Sequence, residues 1–352
     1  MSNPSAAAPG LGSPRISIIT PVWNGLPFLR ECVQSVLAQD LVDWELLVSD
    51  DGSTDGSREW LASLDDPRIR VFTQSKNLGI FGNLNFLFER AAAPVSQILC
   101  QDDYFIDAGS LGRLIELWSK APAQTGFIRE NWTAENSTNE IGRWGLRHLP
   151  ALIEPRDSDL IFFVFGCISG NLSNISLRTQ LVRELSGFDQ RLPYAGDYDF
   201  WCRAGRTVPF LLEPSNLTYV RRHSGQASMH LNRHGELIAQ QYQIVEDLFR
   251  RLRTSTPELL LKVHSTLQFD AFQRWVALRQ LLSTGDRRYL RNLSEHGSRH
   301  GAFLSGVPRW LLFALSVGGR WGASLTARRL IASRRRSRGE SAGAIHNAGS
   351  RY

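Results

Sequence analysis

Over residues 16–100 the chain alternates short apolar runs with segments of helical period. Ile16-Ser17-Ile18-Ile19-Thr20 predicts a strand ending in a Pro21-Val22-Trp23-Asn24-Gly25 turn, and Leu29, Cys32, Val33, Val36 and Leu37 recur at helical spacing over Leu29 to Gln39. Trp44 to Val48 predicts a second strand, Ser57 to Leu64 a helix, Ile69 to Phe72 a third strand, and Ile98-Leu99-Cys100 a fourth. This βαβαβ beginning predicts an α/β fold with a mostly parallel central sheet flanked by helices. After about Ser228 the pattern turns helical: Glu236 to Arg253 and Glu258 to Leu282 read as amphipathic helices of a C-terminal extension, expected either to cover the sheet edge or to pair subunits into an oligomer.

A length of 352 residues exceeds the roughly 100 to 200 of a single domain. The expected organisation is a leader over 1–14, rich in Ala, Ser, Pro and Gly; a catalytic domain over 15–228; a helical extension over 229–298; and a basic amphipathic tail over 299–352. Charge sharpens the last boundary. The net charge is +6, yet from Arg299 onward ten arginines face one acid, Glu340, so the remainder is mildly acidic. Phe303, Leu304, Trp310, Leu311, Leu312, Phe313, Leu315 and Trp321 beside those arginines suit an interfacial helix on an anionic membrane surface. The nearest candidate for a spanning helix, Ala302 to Val317, is interrupted by Pro308 and Arg309 and falls short of roughly 18 apolar residues. No nucleic-acid recognition motif accompanies the basic run. Cys32, Cys100, Cys167 and Cys202 lack zinc or disulfide-scaffold spacing and read as free thiols in a reducing compartment. The expected location is cytoplasmic, peripheral on the inner face of a membrane.

The chemistry gathers in acidic clusters. Asp50-Asp51-Gly52-Ser53-Thr54-Asp55 and Asp102-Asp103 each follow a strand-like run, and so belong at the carboxyl ends of neighbouring strands, where open α/β sheets bind ligands. Gly196-Asp197-Tyr198-Asp199 forms a third cluster. A calcium loop fits poorly, since Ala62 occupies the position of the bidentate glutamate and a strand precedes the cluster. A solvated turn would explain one such cluster alone. The dinucleotide fingerprint and the phosphate loop are both absent.

In order and spacing, these residues resemble the family 2 glycosyltransferases, inverting enzymes of the GT-A fold. The resemblance rests on Thr20 to Gly25, Val48 to Ser57, Asn77-Leu78-Gly79 with Asn83, and Leu99 to Asp103. It continues through Gly170-Asn171, Gly187-Phe188-Asp189 and Gly196 to Arg203, and covers residues 15–228. It implies transfer of one sugar from a UDP- or dTDP-linked donor to an acceptor hydroxyl of a glycan or lipid-linked acceptor, with inversion, in cell-surface polysaccharide or glycolipid assembly. Asp50 and Asp51 would hold the base and ribose of the donor, with Pro21 and Asn24 shaping the floor of that pocket. Asp102 would sit against the donor and Asp103 would hold Mn²⁺ or Mg²⁺ on the diphosphate. Asp197 aligns with the general base, and His223 with a late histidine that reaches the metal or diphosphate.

The chain departs from the family pattern twice. Cys100 stands where many relatives have the first acid of Asp-x-Asp-Asp, which lowers the number of protein ligands, and Gly196 stands where the family has Glu before the base. A lone histidine is as readily a polar surface residue as a ligand, and Asp197 could simply cap a helix. Arg221 and Arg222 face either phosphate or solvent, whereas Arg178 and Arg183 read as helix-surface charges. Trp132, Trp144 and His148 suit either acceptor stacking or loop anchoring. The alternative function is a non-catalytic sugar-nucleotide-binding or membrane-scaffold protein that kept the fold; retention of Asp51, Asp103 and Asp197 together favours the enzyme.

Overall fold

The computed structural model describes residues 12–134, 137–138, 149–223, 226, 234–297, 300–316 and 320–336. Residues 1–11 of the expected leader, Trp144, His148, the side chain of Trp132 and the tail beyond 336 lie outside the described residues. The chain forms two compact units. One runs to Glu154 and resumes over Ser169–Arg222; the other combines Pro155–Ile168 with the chain from His223.

In the first unit, β1 (Ile16–Val22), α1 (Leu26–Leu37), β2 (Trp44–Asp50), α2 (Ser57–Ala62) and β3 (Ile69–Thr73) form the expected alternation; α3 (Gly79–Phe88), which the periodicity did not announce, follows, and β4 (Val95–Ile98) ends where the expected fourth strand began. β5 (Tyr104–Phe105), α4 (Ser110–Lys120), β6 (Phe127–Ala134), β7 (Ser137–Thr138) and β8 (Leu152–Ile153) follow. Later come β9 (Ile175–Arg178), α6 (Thr179–Glu184), α7 (Gly196–Thr207) and β10 (Phe210–Tyr219), with α5 (Pro155–Phe165) assigned to the second unit. The sheet runs β3-β2-β1-β4-β9-β6-β10-β5. It is mixed: β3-β2-β1-β4 and the β6–β10 pair are parallel, while β9 runs antiparallel to both of its neighbours. β1 is buried along its whole length, as a central parallel strand must be when both faces are covered. Ile16, Ile18, Leu46 and Val48 pack one face against Leu29, Val33 and Val36 of α1 and Leu111 and Leu114 of α4.

Strand order places the site. The chain passes from β1 outward to β2 and β3, then returns to pair β4 on the other side of β1. The carboxyl ends of β1 and β4 therefore diverge at a topological switch point, the usual ligand crevice of an open α/β sheet.

The second unit is helical. α8 (Leu237–Leu252) precedes a long segment in which α9 (Glu258–Ser265), a π-helical stretch (Thr266–Asp270) and α10 (Ala271–Thr284) follow without a break. α11 (Arg288–Gly297), α12 (Gly306–Ser316) and α13 (Arg320–Arg336) complete it. Its centre buries Asp270, which accepts from Tyr242 Oη (2.8 Å) and pairs with Arg274 (2.7 Å) and Arg309 (3.4 Å). A buried carboxylate needs such partners, because desolvation otherwise costs several kcal/mol.

Candidate functional site

Asp50 ends β2, level with Val22 at the end of β1, and the Asp51 N–H donates to Val22 O (2.8 Å). Both aspartates are buried. Arg58 reaches Asp50 at 3.4 Å. Asp51 accepts from the Leu78 N–H (2.7 Å), and Asn77 Nδ2 donates to its carbonyl (3.1 Å). Burial, with a smaller push from the neighbouring Asp50 charge, raises the Asp51 carboxyl above its ordinary value. Asn83, buried, donates to Ser49 O (2.8 Å). The Asn-Leu-Gly segment thus serves to brace the first acidic pair from α3.

The turn after β1 and the loop after β2 hold each other. Asn24 has φ +49, a left-handed conformation that Asn tolerates better than most residues. Its Oδ1 accepts from the Thr54 N–H (2.8 Å), and its own N–H donates to Ser53 Oγ (2.8 Å). The Leu26 N–H donates to Asp55 Oδ2 (2.9 Å), so Asp55 serves the first turn of α1 and not a metal. Across the switch point, Gln101 accepts from the Trp23 N–H (2.8 Å) and donates to Trp23 O (3.0 Å). Beside this lattice lies a cleft of about 540 Å³ lined by Asn24, Leu26, Pro27, Arg30 and Asp55. Pro21, within β1, is buried and does not line this cleft.

The second acidic pair is set differently. Asp103 is 1% exposed; its Oδ1 accepts from the Arg221 N–H (2.9 Å), while Oδ2 has no hydrogen-bond partner among the described residues. Burial, then the adjacent Asp102 charge, pushes its carboxyl up to about 8, against the Ser173 hydroxyl and Arg221. Arg221 donates to Asp102 O (3.0 Å), pairs with Glu31 (2.6 Å) and lies over Phe28 (4.7 Å to the ring centroid). It therefore fixes the acidic pair, a role that sequence reasoning left between phosphate and solvent. Ser173 also escaped sequence reasoning, although its Oγ accepts from the Cys100 N–H (2.9 Å) and it touches Asp103.

Cys100, Asp102 and Asp103 bring their ligand atoms within 4.8 Å of one another. Burial raises the Cys100 thiol well above its ordinary value, leaving a protonated sulfur that suits a hard cation poorly. The unpartnered Asp103 Oδ2 with the half-buried Asp102 carboxylate is a donor set that fits Mg²⁺ or Mn²⁺.

Asp197 sits in the first turn of α7, half-buried, and the Tyr198 N–H donates to its Oδ1 (2.7 Å). Asp199 has a structural part: it pairs with Arg203 (2.8 Å), which donates to Leu185 O and Gly187 O. From the other side, Asn85 of α3 donates to Phe188 O and accepts from the Phe188 N–H, both at 2.8 Å, and Phe81 stacks on Phe188 (5.6 Å). The Gly-Phe-Asp loop thereby locks the start of α7 to the helix that braces Asp51. His223 is half-buried and opens the second unit. Arg183 is exposed on α6, as expected of a helix-surface charge, while Arg178 is half-buried just before it, and both also donate to main-chain carbonyls: Arg178 to Thr125 O and Ala123 O, Arg183 to Phe88 O and Ala91 O. Loose helix and strand ends leave carbonyls without partners, and a guanidinium fork satisfies two at once.

Residues 17–175 match the family model for glycosyl transferase family 2. Among curated proteins, an uncharacterised glycosyltransferase of Rickettsia felis is 27% identical over 224 residues, 63% of this chain and 36% of its own length. The match thus spans little more than a third of that relative. A UDP-Glc:alpha-D-GlcNAc-diphosphoundecaprenol beta-1,3-glucosyltransferase of Escherichia coli is 30% identical over 129 residues, 37% of this chain and 50% of that protein. Among solved structures, TarS 1-349 of S. aureus superposes with TM-score 0.53 at 14% identity, covering 93% of this chain and 88% of that one. The same protein solved with UDP-GlcNAc gives 0.52 at 16% identity, with 92% of each chain covered. The likeness shows the fold: a mixed sheet with flanking helices, of GT-A type.

Proposed function

We propose that this chain, which carries a family 2 glycosyltransferase domain of GT-A fold, is an inverting, metal-dependent transferase moving one hexosyl or deoxyhexosyl group from a UDP- or dTDP-linked donor to an acceptor hydroxyl. The observation that carries this reading is the pair of acidic clusters after β2 and β4, on either side of β1, with Asp50, Asp51 and Asp103 buried and one Asp103 oxygen unpartnered among the described residues. Asp50 and Asp51 hold base and ribose, with Pro21 and Asn24 forming the pocket floor. Asp102 and Asp103 would hold Mn²⁺ or Mg²⁺, with His223 as a further ligand, and a cation there would neutralise charge on the leaving diphosphate.

Asp197 acts as general base. It takes the proton from the acceptor hydroxyl as that oxygen bonds to the anomeric carbon and the bond to the diphosphate breaks on the opposite face, which inverts the centre. A positioned base of this kind contributes roughly 10² to 10⁴ in rate. The named activity of the E. coli relative, on a sugar linked to diphosphoundecaprenol, supports an acceptor of the lipid-linked or polysaccharide class. We place the chain at the inner face of a membrane, held peripherally through its basic C-terminal region; among the described residues no helix is long and apolar enough to cross one.

Two measurements test this. Calorimetric titration with UDP and dTDP, each with and without Mn²⁺, should show metal-dependent binding of one of them; failure of both with folded protein would favour the non-catalytic scaffold. The Asp197→Asn variant should keep nucleotide binding and lose transfer by at least about 10²-fold. Transfer at the parental rate would remove Asp197 from the mechanism.

A further inference from the structure

The interfacial helix expected from the sequence takes a different form in the structure. Phe303 is buried against Tyr242 (4.5 Å between ring centroids) and Arg309 is buried beside Asp270, so part of that stretch belongs to the core. What remains outside is an apolar stripe. Val307, Trp310, Leu311 and Leu315 recur at helical spacing along α12, with Trp310 56% and Leu315 80% exposed.

A second stripe lies on α10, where sequence periodicity suggested only a helix covering the sheet or pairing subunits. Phe272, Trp275, Leu278 and Leu282 stand outward, Trp275 50% and Leu282 77% exposed, whereas Ala271, Gln273 and Ala277 face inward. The stripes meet at Arg274, whose guanidinium lies over the Trp310 ring at 4.7 Å. A ledge with two tryptophans, a phenylalanine and five aliphatics exceeds the scattered apolar exposure of ordinary surfaces.

The charge around the ledge selects its occupant. From Ala271 to Arg336 the sequence holds thirteen arginines and two acids, Asp286 and Glu295. Arg279, Arg287, Arg291, Arg328 and Arg329 are exposed, and Asp286 is already paired with Arg288 at 2.7 Å. A second copy docking ledge to ledge would bring two such cationic fields together. An anionic lipid surface complements both features: indole rings and Leu side chains enter the headgroup boundary, and nearby arginines attract its charge.

We propose that the outward faces of α10 and α12 form a docking surface for an anionic bilayer, with Phe272, Trp275, Leu282, Trp310, Leu311 and Leu315 inserted among the acyl chains. This rests on the peripheral placement proposed above but not on sugar transfer, and it is read without donor or acceptor. The full chain is sedimented with vesicles of phosphatidylcholine, alone or mixed equally with phosphatidylglycerol, and tryptophan quenching by brominated acyl chains is recorded. The expected result is binding to the anionic vesicles with quenching, and a loss of about tenfold or more in the Leu282→Glu/Leu315→Glu double variant at unchanged melting temperature. Both leucines are largely exposed, so the fold tolerates the change.

Absence of parental binding to anionic vesicles overturns the proposal. So does parental adhesion in the double variant, which would assign it to the arginines alone, or reversible self-association of the parent that the double variant lacks, which would make a second copy the occupant. Sugar transfer is scored separately through Asp197→Asn, so either reading can fail alone.

Discussion

At the scale of the residue, the site depends on carboxyl groups held out of water for different reasons. Asp103 is buried with one oxygen unpartnered, so Asp103→Asn should abolish the metal-dependent part of nucleotide binding while leaving metal-free thermal stability unchanged or raised; calorimetry with and without Mn²⁺ checks this. Glu130 of β6 is also buried. Its Oε1 accepts from Ser176 Oγ (2.7 Å), its Oε2 has no partner, and burial pushes the carboxyl up to about 8 from an ordinary 4.5. A carboxyl raised in this way binds its proton more tightly when folded. The stability it contributes is complete below pH about 4.5 and is lost as pH rises through about 8. Glu130→Gln should therefore flatten part of the fall in urea-unfolding free energy between about pH 4.5 and 8, by a few kcal/mol at the upper end. An unchanged slope would place the titration elsewhere.

At the scale of the element, α3 is the strut between the two halves of the site. Its N-terminal approach holds Asp51 through the Leu78 N–H, its buried Asn83 holds the end of β2, and its outer face holds the Gly-Phe-Asp loop through Asn85. Gly187 has φ +72, and a Cβ there would stand 2.5 Å from Asn85 Oδ1. Only glycine lets the loop approach this amide and take that conformation without strain. Asn85→Ala removes one donor and one acceptor for main-chain groups of Phe188, which should lower stability by about 1 to 3 kcal/mol. Because that loop leads into α7, transfer rate should fall more than donor affinity. A fall in nucleotide affinity alone, measured by titration, would show that α3 serves only the donor side.

At the scale of the whole molecule, charge is divided along the chain. The acidic clusters belong to the sheet unit and the arginine excess to the helical unit. A diphosphate held by enclosed groups and a lipid surface met by exposed arginines should respond differently to salt, since screening acts chiefly between exposed charges. Raising ionic strength from about 0.05 to 0.5 M shortens the Debye length roughly threefold and should weaken adhesion to anionic vesicles by tenfold or more. Co-sedimentation across that series checks it; adhesion indifferent to salt would leave the apolar ledge as the whole attraction.

The amino-acid sequence by itself determined the alternation of strands and helices up to β3 and the seats of both acidic pairs after strands. Both signals are local: a side-chain period of 2 or 3.6 follows from backbone geometry, and carboxylates after an apolar run mark a strand's end, because burying them without partners is costly. The order and spacing of the motifs likewise carried the resemblance that the family match bears out. Tertiary structure alone decided which side chains close the site. Gln101 spans to Trp23, Ser173 reaches Cys100, and Arg221 crosses more than a hundred positions to fix Asp103. It also turned β9 antiparallel within a sheet expected to be mostly parallel, and drew Pro155–Ile168 into the helical unit. The periodicities of α10 and α12 were legible, but not which of their apolar positions face the core. Burial is settled by contacts between residues distant in sequence, and no local pattern encodes them.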